Sequence, residues 1–273
     1  MRNVRIIALV INKKESVKRK SVMKAIILAS GEGKRLRPLT DNLPKPLIKI
    51  GDKTILGHQL DNLIGCDITN IIITTGPFED EIKEYVKEKY PDLEVSYVNN
   101  PKYETTNYIY SMWLTKGLID DDIILLHGDL VFDKKLLERL INEKCENCVL
   151  VNRKIKPPEK DFKAVIENNR VVKIGVEFYG ENAFFSAPLY KFSKSDFLCW
   201  LDEIEEFIER GDTKSYAEDV FNKISDKIVL RPVYFDDEVC MEIDTEEDLE
   251  KANNLVRNAT IMDDSYFEGG DIL

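Results

Sequence analysis

Residues 24–50 read KAIILASGEGKRLRPLTDNLPKPLIKI, and their order decides how the chain is built. The apolar run Ala25, Ile26, Ile27, Leu28 stops at small residues, Ala29, Ser30, Gly31 and Gly33. Cations follow at Lys34, Arg35 and Arg37, with Lys45 further on. A short apolar run ended by glycines reads as a buried strand that delivers a loop. Glycines let backbone N–H groups close on a phosphate without a side chain in the way, and guanidinium groups hold its oxygens in a fixed fork. The loop is therefore expected to bind a polyphosphate. Its spacing excludes two other phosphate loops: a dinucleotide fingerprint would need glycine where Leu36 stands, and a Walker loop would need Ser or Thr where Arg35 follows Gly33-Lys34.

Outward from this loop the pattern alternates. Residues 54–66 carry Ile55, Leu56, Leu60, Leu63 and Ile64 at helical spacing, 70–74 read as a buried strand, 79–90 as a helix and 94–98 as a strand. Strand, helix, strand in repetition implies parallel pairing through right-handed crossovers, so the fold class is α/β, doubly wound and mostly parallel (Rossmann-like). Ligands in such sheets sit beyond the carboxyl ends of the strands, where the glycine loop leaves. A helix is expected over 107–116, and an apolar strand over 122–126 runs into His127-Gly128-Asp129. After a helix over 134–143 and a strand over 148–151 the pattern loosens. Strands over 164–167 and 171–175 flank Asn168-Asn169-Arg170, a hairpin signal, and read as a small β insertion. A strand over 184–190, helices over 194–210 and 216–224, strands over 228–234 and 239–243, and a helix over 246–256 complete the domain. Residues 257–273 are expected to be a tail.

With 43% hydrophobic residues in 273, the chain can bury one large core, and residues 23–256 are taken as one domain. The net charge is −11, and basic residues crowd the first 22 positions, so the body is more acidic still. Such a body repels nucleic acid but can hold a nucleotide where Lys34, Arg35, Arg37 and Lys45 gather positive charge. Five scattered cysteines, an odd number, fit a reducing cytoplasm rather than a disulfide framework. Cys145 and Cys148 form a lone C-x-x-C without a second ligand pair, which argues against zinc. The apolar run within residues 1–22 is too short to span a membrane and lacks a cleavage site. Those residues are expected to be a dispensable extension, with Met23 opening the domain.

Two carboxylate positions admit two readings each. Asp129, just past a buried strand beside Gly128, is either a metal-binding carboxylate or a turn former; the phosphate loop in the same sheet favours the metal. Glu242 and Asp244 would share one face of a strand, and Asp244 either joins Asp129 on a metal or caps the following D-T-E-E helix opening.

Residues 28–40 and 44–47 resemble the signature L-A-(A/G)-G-x-G-(S/T)-R-L-x-P-L-T followed by P-K-P-(L/M), which marks the nucleotidyltransferases that activate sugar and alcohol phosphates. The stretches NYIYSMW (107–113), YAEDVFN (216–222) and MEID (241–244) resemble the branch that uses CTP and accepts phosphocholine or 2-aminoethylphosphonate. The resemblance covers residues 23–256. It implies transfer of CMP from CTP to a small phosphorylated or phosphonate acceptor with release of pyrophosphate. Mg²⁺ would sit on Asp129 and Asp244, with Glu242 beside them. Arg35 would hold the pyrophosphate and Lys45 the α-phosphate. Leu28, Ala29, Gly31, Gly33, Arg35, Thr75, Gly76 and Asn107 would line the nucleotide pocket. Tyr110, Trp113, Tyr216, Glu218 and Asp219 would offer an ammonium group aromatic faces and carboxylates; an aromatic pair at the i, i+3 spacing of Tyr110 and Trp113 is more often a core pair. Lys163 would either anchor the acceptor phosphate or stand solvated. A sugar 1-phosphate enzyme using UTP, dTTP or GTP is the alternative, weakened because only Gly180-Glu181-Asn182 stands where those enzymes carry a sugar-binding segment. A non-catalytic regulatory relative is the second class, and the charged set Arg35, Lys45, Asp129 and Asp244 argues against it. No membrane partner is expected, and a homo-oligomer is compatible with the reading.

Overall fold

The computed structural model describes residues 23–264, and the side chains of residues 23–256. The extension assigned to residues 1–22 and the last part of the tail lie outside the described residues. Strand β1 (Met23–Leu28) is followed by a short antiparallel pair, β2 (Lys49–Ile50) and β3 (Lys53–Thr54), and by α1 (Ile55–Ile64). Then come β4 (Asn70–Thr75), α2 (Glu79–Lys89), β5 (Glu94–Asn99), α3 (Tyr108–Leu114), β6 (Asp122–His127), β7 (Leu130–Phe132), α4 (Lys134–Asn142) and β8 (Asn147–Asn152). The second half holds β9 (Lys163–Glu167), β10 (Arg170–Gly175), β11 (Ala183–Phe192), α5 (Lys194–Glu209), α6 (Ala217–Ile224), β12 (Leu230–Phe235), β13 (Cys240–Glu242) and α7 (Glu246–Asp264).

One sheet runs in the order β10-β9-β11-β6-β1-β4-β5, with β8 against β11 and β12 beside β8. The β6-β1-β4-β5 half is wholly parallel. β1 lies at its centre because every residue from Ala25 to Leu28 is buried and alternates between faces. Ala25 and Ile27 pack with Leu56, Leu60 and Leu63 of α1, Ile82 and Val86 of α2 and Leu136, Leu137 and Leu140 of α4. Ile26 and Leu28 pack on the other face with Ile109 and Met112 of α3, Phe197, Trp200 and Leu201 of α5 and Val220, Phe221 and Ile224 of α6. Helices on both faces of a mostly parallel sheet are the doubly wound arrangement that the sequence implies.

The insertion is not a separate layer. Its hairpin turns at Asn168 and Asn169, both with positive φ, and β9 pairs antiparallel with β11, so β9 and β10 widen the main sheet. The helix predicted to end at residue 256 continues to Asp264, so the tail assigned from residue 257 is helical at its start. Ala259 and Met262, both strong helix formers, favour the continuation, while the scarcity of apolar residues there hid the periodicity.

Candidate active site

The strand ends Leu28, Thr74 and His127 lie in register, and the chain leaves all three on the same side of the sheet. Ala29 N–H donates to the Thr74 carbonyl and the Ser30 hydroxyl to Thr74 Oγ1, which ties the start of the glycine loop to β4. Gly33 has φ +66°, and a Cβ there would press on Thr40 and Lys45. Only glycine turns the loop at this point without strain. The Thr40 hydroxyl donates to the Gly33 carbonyl at 2.8 Å, and Leu36 is fully buried against Ile48, Ile50 and Ile243. The residue that broke the dinucleotide fingerprint thus anchors the loop in a small core of its own.

A cavity of about 350 Å³ opens over these strand ends. Leu28, Ala29, Gly31, Gly33, Arg35, Lys45, Asn107, Asp129 and Asp244 line it, so these predicted residues are brought together. The β13–β7 pairing does this for the far end of the chain. Glu242 stands opposite Leu130, and Ile243 N–H donates to the Asp129 carbonyl at 2.9 Å. Asp244 then faces inward, 6% exposed, with Arg35 Nη2 at 2.8 Å and Lys45 Nζ at 2.7 Å from its Oδ1. It does not cap α7; Thr245 and Asp248 do that reciprocally, Asp248 N–H donating to Thr245 Oγ1 and Thr245 N–H to Asp248 Oδ2.

Lys45 Nζ also donates to Asp129 Oδ2 at 2.6 Å, so one ammonium joins the two aspartates. Burial pulls the Lys45 pKa down, but the two carboxylates outweigh it and the net shift is upward. Burial likewise favours a neutral Asp129, yet Lys45 and then His127 hold its carboxyl below the ordinary range. Glu242 is pushed up to about 7, chiefly by burial, and sits 3.5 Å from His127 Nδ1. For His127 burial opposes protonation, but Glu242 prevails and raises its pKa. Among the described residues, Asp129 Oδ1 and His127 Nε2 are buried without a hydrogen-bond partner. An unpartnered carboxylate oxygen among acidic neighbours fits a hard divalent cation.

Several predicted residues stand elsewhere. Thr75 is buried with its hydroxyl on Glu79, and Gly76 lies so close to the Ser30 carbonyl oxygen that a Cβ would overlap it; neither lines the cavity, and both brace its floor. Tyr110 and Trp113 pack on each other, 5.3 Å between ring centroids, with Trp113 Nε1 bonded to Glu205. The helical phase turns their neighbour Tyr108 to the cavity instead. Lys163 is neither solvated nor on the cavity wall: it is fully buried, donating to the carbonyls of Glu159 and Val176. Asp219 accepts from Tyr216 N–H and caps α6. Glu218 is 1% exposed and accepts from the hydroxyls of Tyr108 and Tyr190.

The Tyr108 ring stacks between His127, at 4.7 Å, and Tyr216, at 6.0 Å, and Phe162 stands edge-on to Tyr216 at 5.2 Å. Tyr108, Phe162 and His127 were not singled out from sequence, although His127 sits in the same triplet as Asp129. Nor was the other wall, where buried Asn100 donates to Thr106 and Ser111 and accepts from Lys102 N–H, bracing the stretch that carries Tyr103 over the cavity.

The family model described as "Nucleotidyl transferase" matches residues 24–174. A CMP-5'-(3-aminopropyl)phosphonate synthase of Streptomyces rubellomurinus is 33% identical over 135 residues, 50% of this chain and 22% of the relative. A choline-phosphate cytidylyltransferase of Streptococcus pneumoniae is 38% identical over 110 residues, 40% of this chain and 46% of the relative. The chain therefore spans less than half the length of either of these curated relatives. The solved structure of a CTP:phosphocholine cytidylyltransferase from Streptococcus pneumoniae superposes with a TM-score of 0.74 at 24% identity, covering 86% of this chain and 99% of that one, which shows the fold.

Proposed function

The chain belongs to the nucleotidyl transferase family, and from that premise we propose that it transfers CMP from CTP to phosphocholine or a 2-aminoethylphosphonate-like acceptor, with Mg²⁺ as cofactor. An acceptor phosphate or phosphonate oxygen attacks the α-phosphorus. A new P–O bond forms there, the bond to the bridging oxygen of the β-phosphate breaks, and pyrophosphate leaves with that electron pair. No covalent enzyme intermediate is needed, and positioning and charge are the protein's contribution.

The observation that carries the acceptor class is the aromatic and acidic wall beside Asp129. Tyr108 lines the cavity, Tyr216 and Phe162 pack beside it in one aromatic cluster, and buried Glu218 accepts from the Tyr108 hydroxyl behind it. An ammonium group gains from both kinds of neighbour, whereas a hexose would want hydroxyl-matched donors and acceptors. The names of the two relatives, an aminoalkyl phosphonate synthase and a choline-phosphate enzyme, support the same class.

Lys45 is a compact charge held by two carboxylates in the nucleotide-free protein and would pass to the α-phosphate as negative charge develops there. Arg35, largely exposed and paired with Asp244, would fold onto the departing pyrophosphate. Asp129 and Asp244 would hold Mg²⁺, with Glu242 beside them, and the ion would supply neutralisation of the triphosphate.

The test is pyrophosphate release with Mg²⁺, crossing CTP, UTP, dTTP, ATP and GTP with phosphocholine, 2-aminoethylphosphonate and glucose 1-phosphate. Turnover confined to CTP with an amine-bearing acceptor is expected. Turnover with glucose 1-phosphate would overturn the acceptor class, and silence from folded protein would overturn the catalytic reading.

A further inference from the structure

We infer that His127, Asp129 and Glu242 form a metal position of their own, which in the nucleotide-free protein takes a divalent ion of the Mn²⁺ or Co²⁺ kind. It is distinct from the gap between Asp129 and Asp244. That gap already contains a cation: the Lys45 ammonium touches Asp129 Oδ2 at 2.6 Å and Asp244 Oδ1 at 2.7 Å. Arg35 at 2.8 Å and Lys160 at 3.7 Å add positive charge around Asp244. Until a triphosphate draws these side chains away, a metal ion entering there meets three cations.

The opposite side of Asp129 is different. Among the described residues its buried Oδ1 has no partner, and neither has the buried Nε2 of His127, whose residue is 8% exposed. One ligand atom from each of His127, Asp129 and Glu242 can be chosen so that all lie within 4.8 Å of one another. Metal–ligand bonds of about 2.1 Å put adjacent ligands roughly 3 Å apart and opposed ones about 4.2 Å, so side-chain rotations that draw the atoms in by up to about 2 Å close the set. Buried polar atoms without partners are uncommon in folded proteins, and here two of them fall in one cluster.

The elements that carry the three ligands are held firmly. His127 ends the central β6, Asp129 follows at once, and the antiparallel β7–β13 pair fixes Glu242 opposite Leu130. The Tyr108 ring at 4.7 Å and Phe162 at 6.4 Å pack against the imidazole. The donor set names the ion. Two carboxylates alone would suit Mg²⁺, which prefers oxygen and retains its waters, but an imidazole nitrogen moves the preference to first-row transition ions.

The experiment uses the full chain, free of nucleotide, with Mn²⁺ alone as the probe. Continuous-wave EPR counts free against bound ion, and pulsed EPR reads the modulation of a coordinated ¹⁴N nucleus. One Mn²⁺ per chain with ¹⁴N modulation is expected. H127Q should lose the modulation, H127Q and E242Q should each weaken binding about tenfold or more, and D244N should stay within about threefold of the parent. Circular dichroism confirms that each variant is folded. Bound Mn²⁺ without ¹⁴N modulation in the parent protein would overturn the inference, as would folded parent protein that binds no Mn²⁺. So would binding that D244N abolishes while H127Q and E242Q leave it intact. Because no nucleotide or acceptor enters the measurement, its failure leaves the proposed reaction standing, and a failed substrate screen leaves this site standing.

Discussion

At the scale of single residues, the site is a set of charges and hydroxyls that hold one another. Glu218 shows the principle: a carboxylate 1% exposed, in a sequence context that reads as an ordinary helix opening, is kept inside by the phenol hydroxyls of Tyr108 and Tyr190. Burial pushes both phenols well above the usual tyrosine range, so they remain protonated donors at any physiological pH. Glu218→Ala would leave two buried hydroxyls without an acceptor and should destabilise the protein by about 2–4 kcal/mol in urea denaturation. Glu218→Gln, which keeps an acceptor oxygen, should cost less than the alanine variant. An equal loss in the two would mean that packing, not the hydrogen bonds, holds Tyr108 in place. Sequence alone marked Glu218 as a carboxylate for an ammonium group, but it could not show that Tyr108 lines the cavity while Glu218, bonded to its hydroxyl, does not.

At the scale of elements, the insertion is the part whose sequence was easiest to delimit and hardest to place. Asn168-Asn169 announces a tight hairpin because both positions need positive φ, which asparagine tolerates better than most residues. Besides its pairing with β11, the hairpin is clamped by a distant side chain. Asn222 on α6 accepts from Ile174 N–H at 2.8 Å and donates to the Ile174 carbonyl at 2.7 Å, so it pairs with the edge of β10 much as another strand would. Asn222→Ala should lower stability by about 1–3 kcal/mol and speed limited proteolysis between residues 153 and 180. If cleavage there is unchanged while overall stability falls, the clamp acts on α6 and not on the hairpin. The same element carries Phe162 and Lys163. The fully buried Lys163 bonds to two carbonyls and anchors the start of β9, which shows why a lysine that looks solvated in sequence need not be so.

At the scale of the whole molecule, two halves of the chain meet at the carboxyl ends of β1, β4 and β6, and the cavity lies between them. A ligand that bridges the glycine loop and the β7–β13 pair should therefore stabilise the whole domain. At about 100 times its Kd, CTP would add about 2.7 kcal/mol, worth roughly 5–10 °C in Tm for a chain of this size. Differential scanning fluorimetry should show that rise with CTP and Mg²⁺ and a smaller one with ATP; equal shifts for both would remove the preference for cytosine. Among the described residues no helix is long and apolar enough to cross a membrane. The sequence by itself determined the strand-loop-helix order, the glycine-rich cationic loop from Gly31 to Lys45 and the position of Asp129 just past a buried strand, because periodicity and glycine spacing are local properties of the chain. Only the tertiary structure decided that Lys45 joins Asp129 and Asp244, that Thr245 and not Asp244 caps α7, that Tyr108 and not Tyr110 faces the cavity, and that His127 and Glu242 lie side by side. Each of these depends on contacts between residues far apart in the chain, or on a helix's rotation about its own axis, and the packing of the complete sheet sets both.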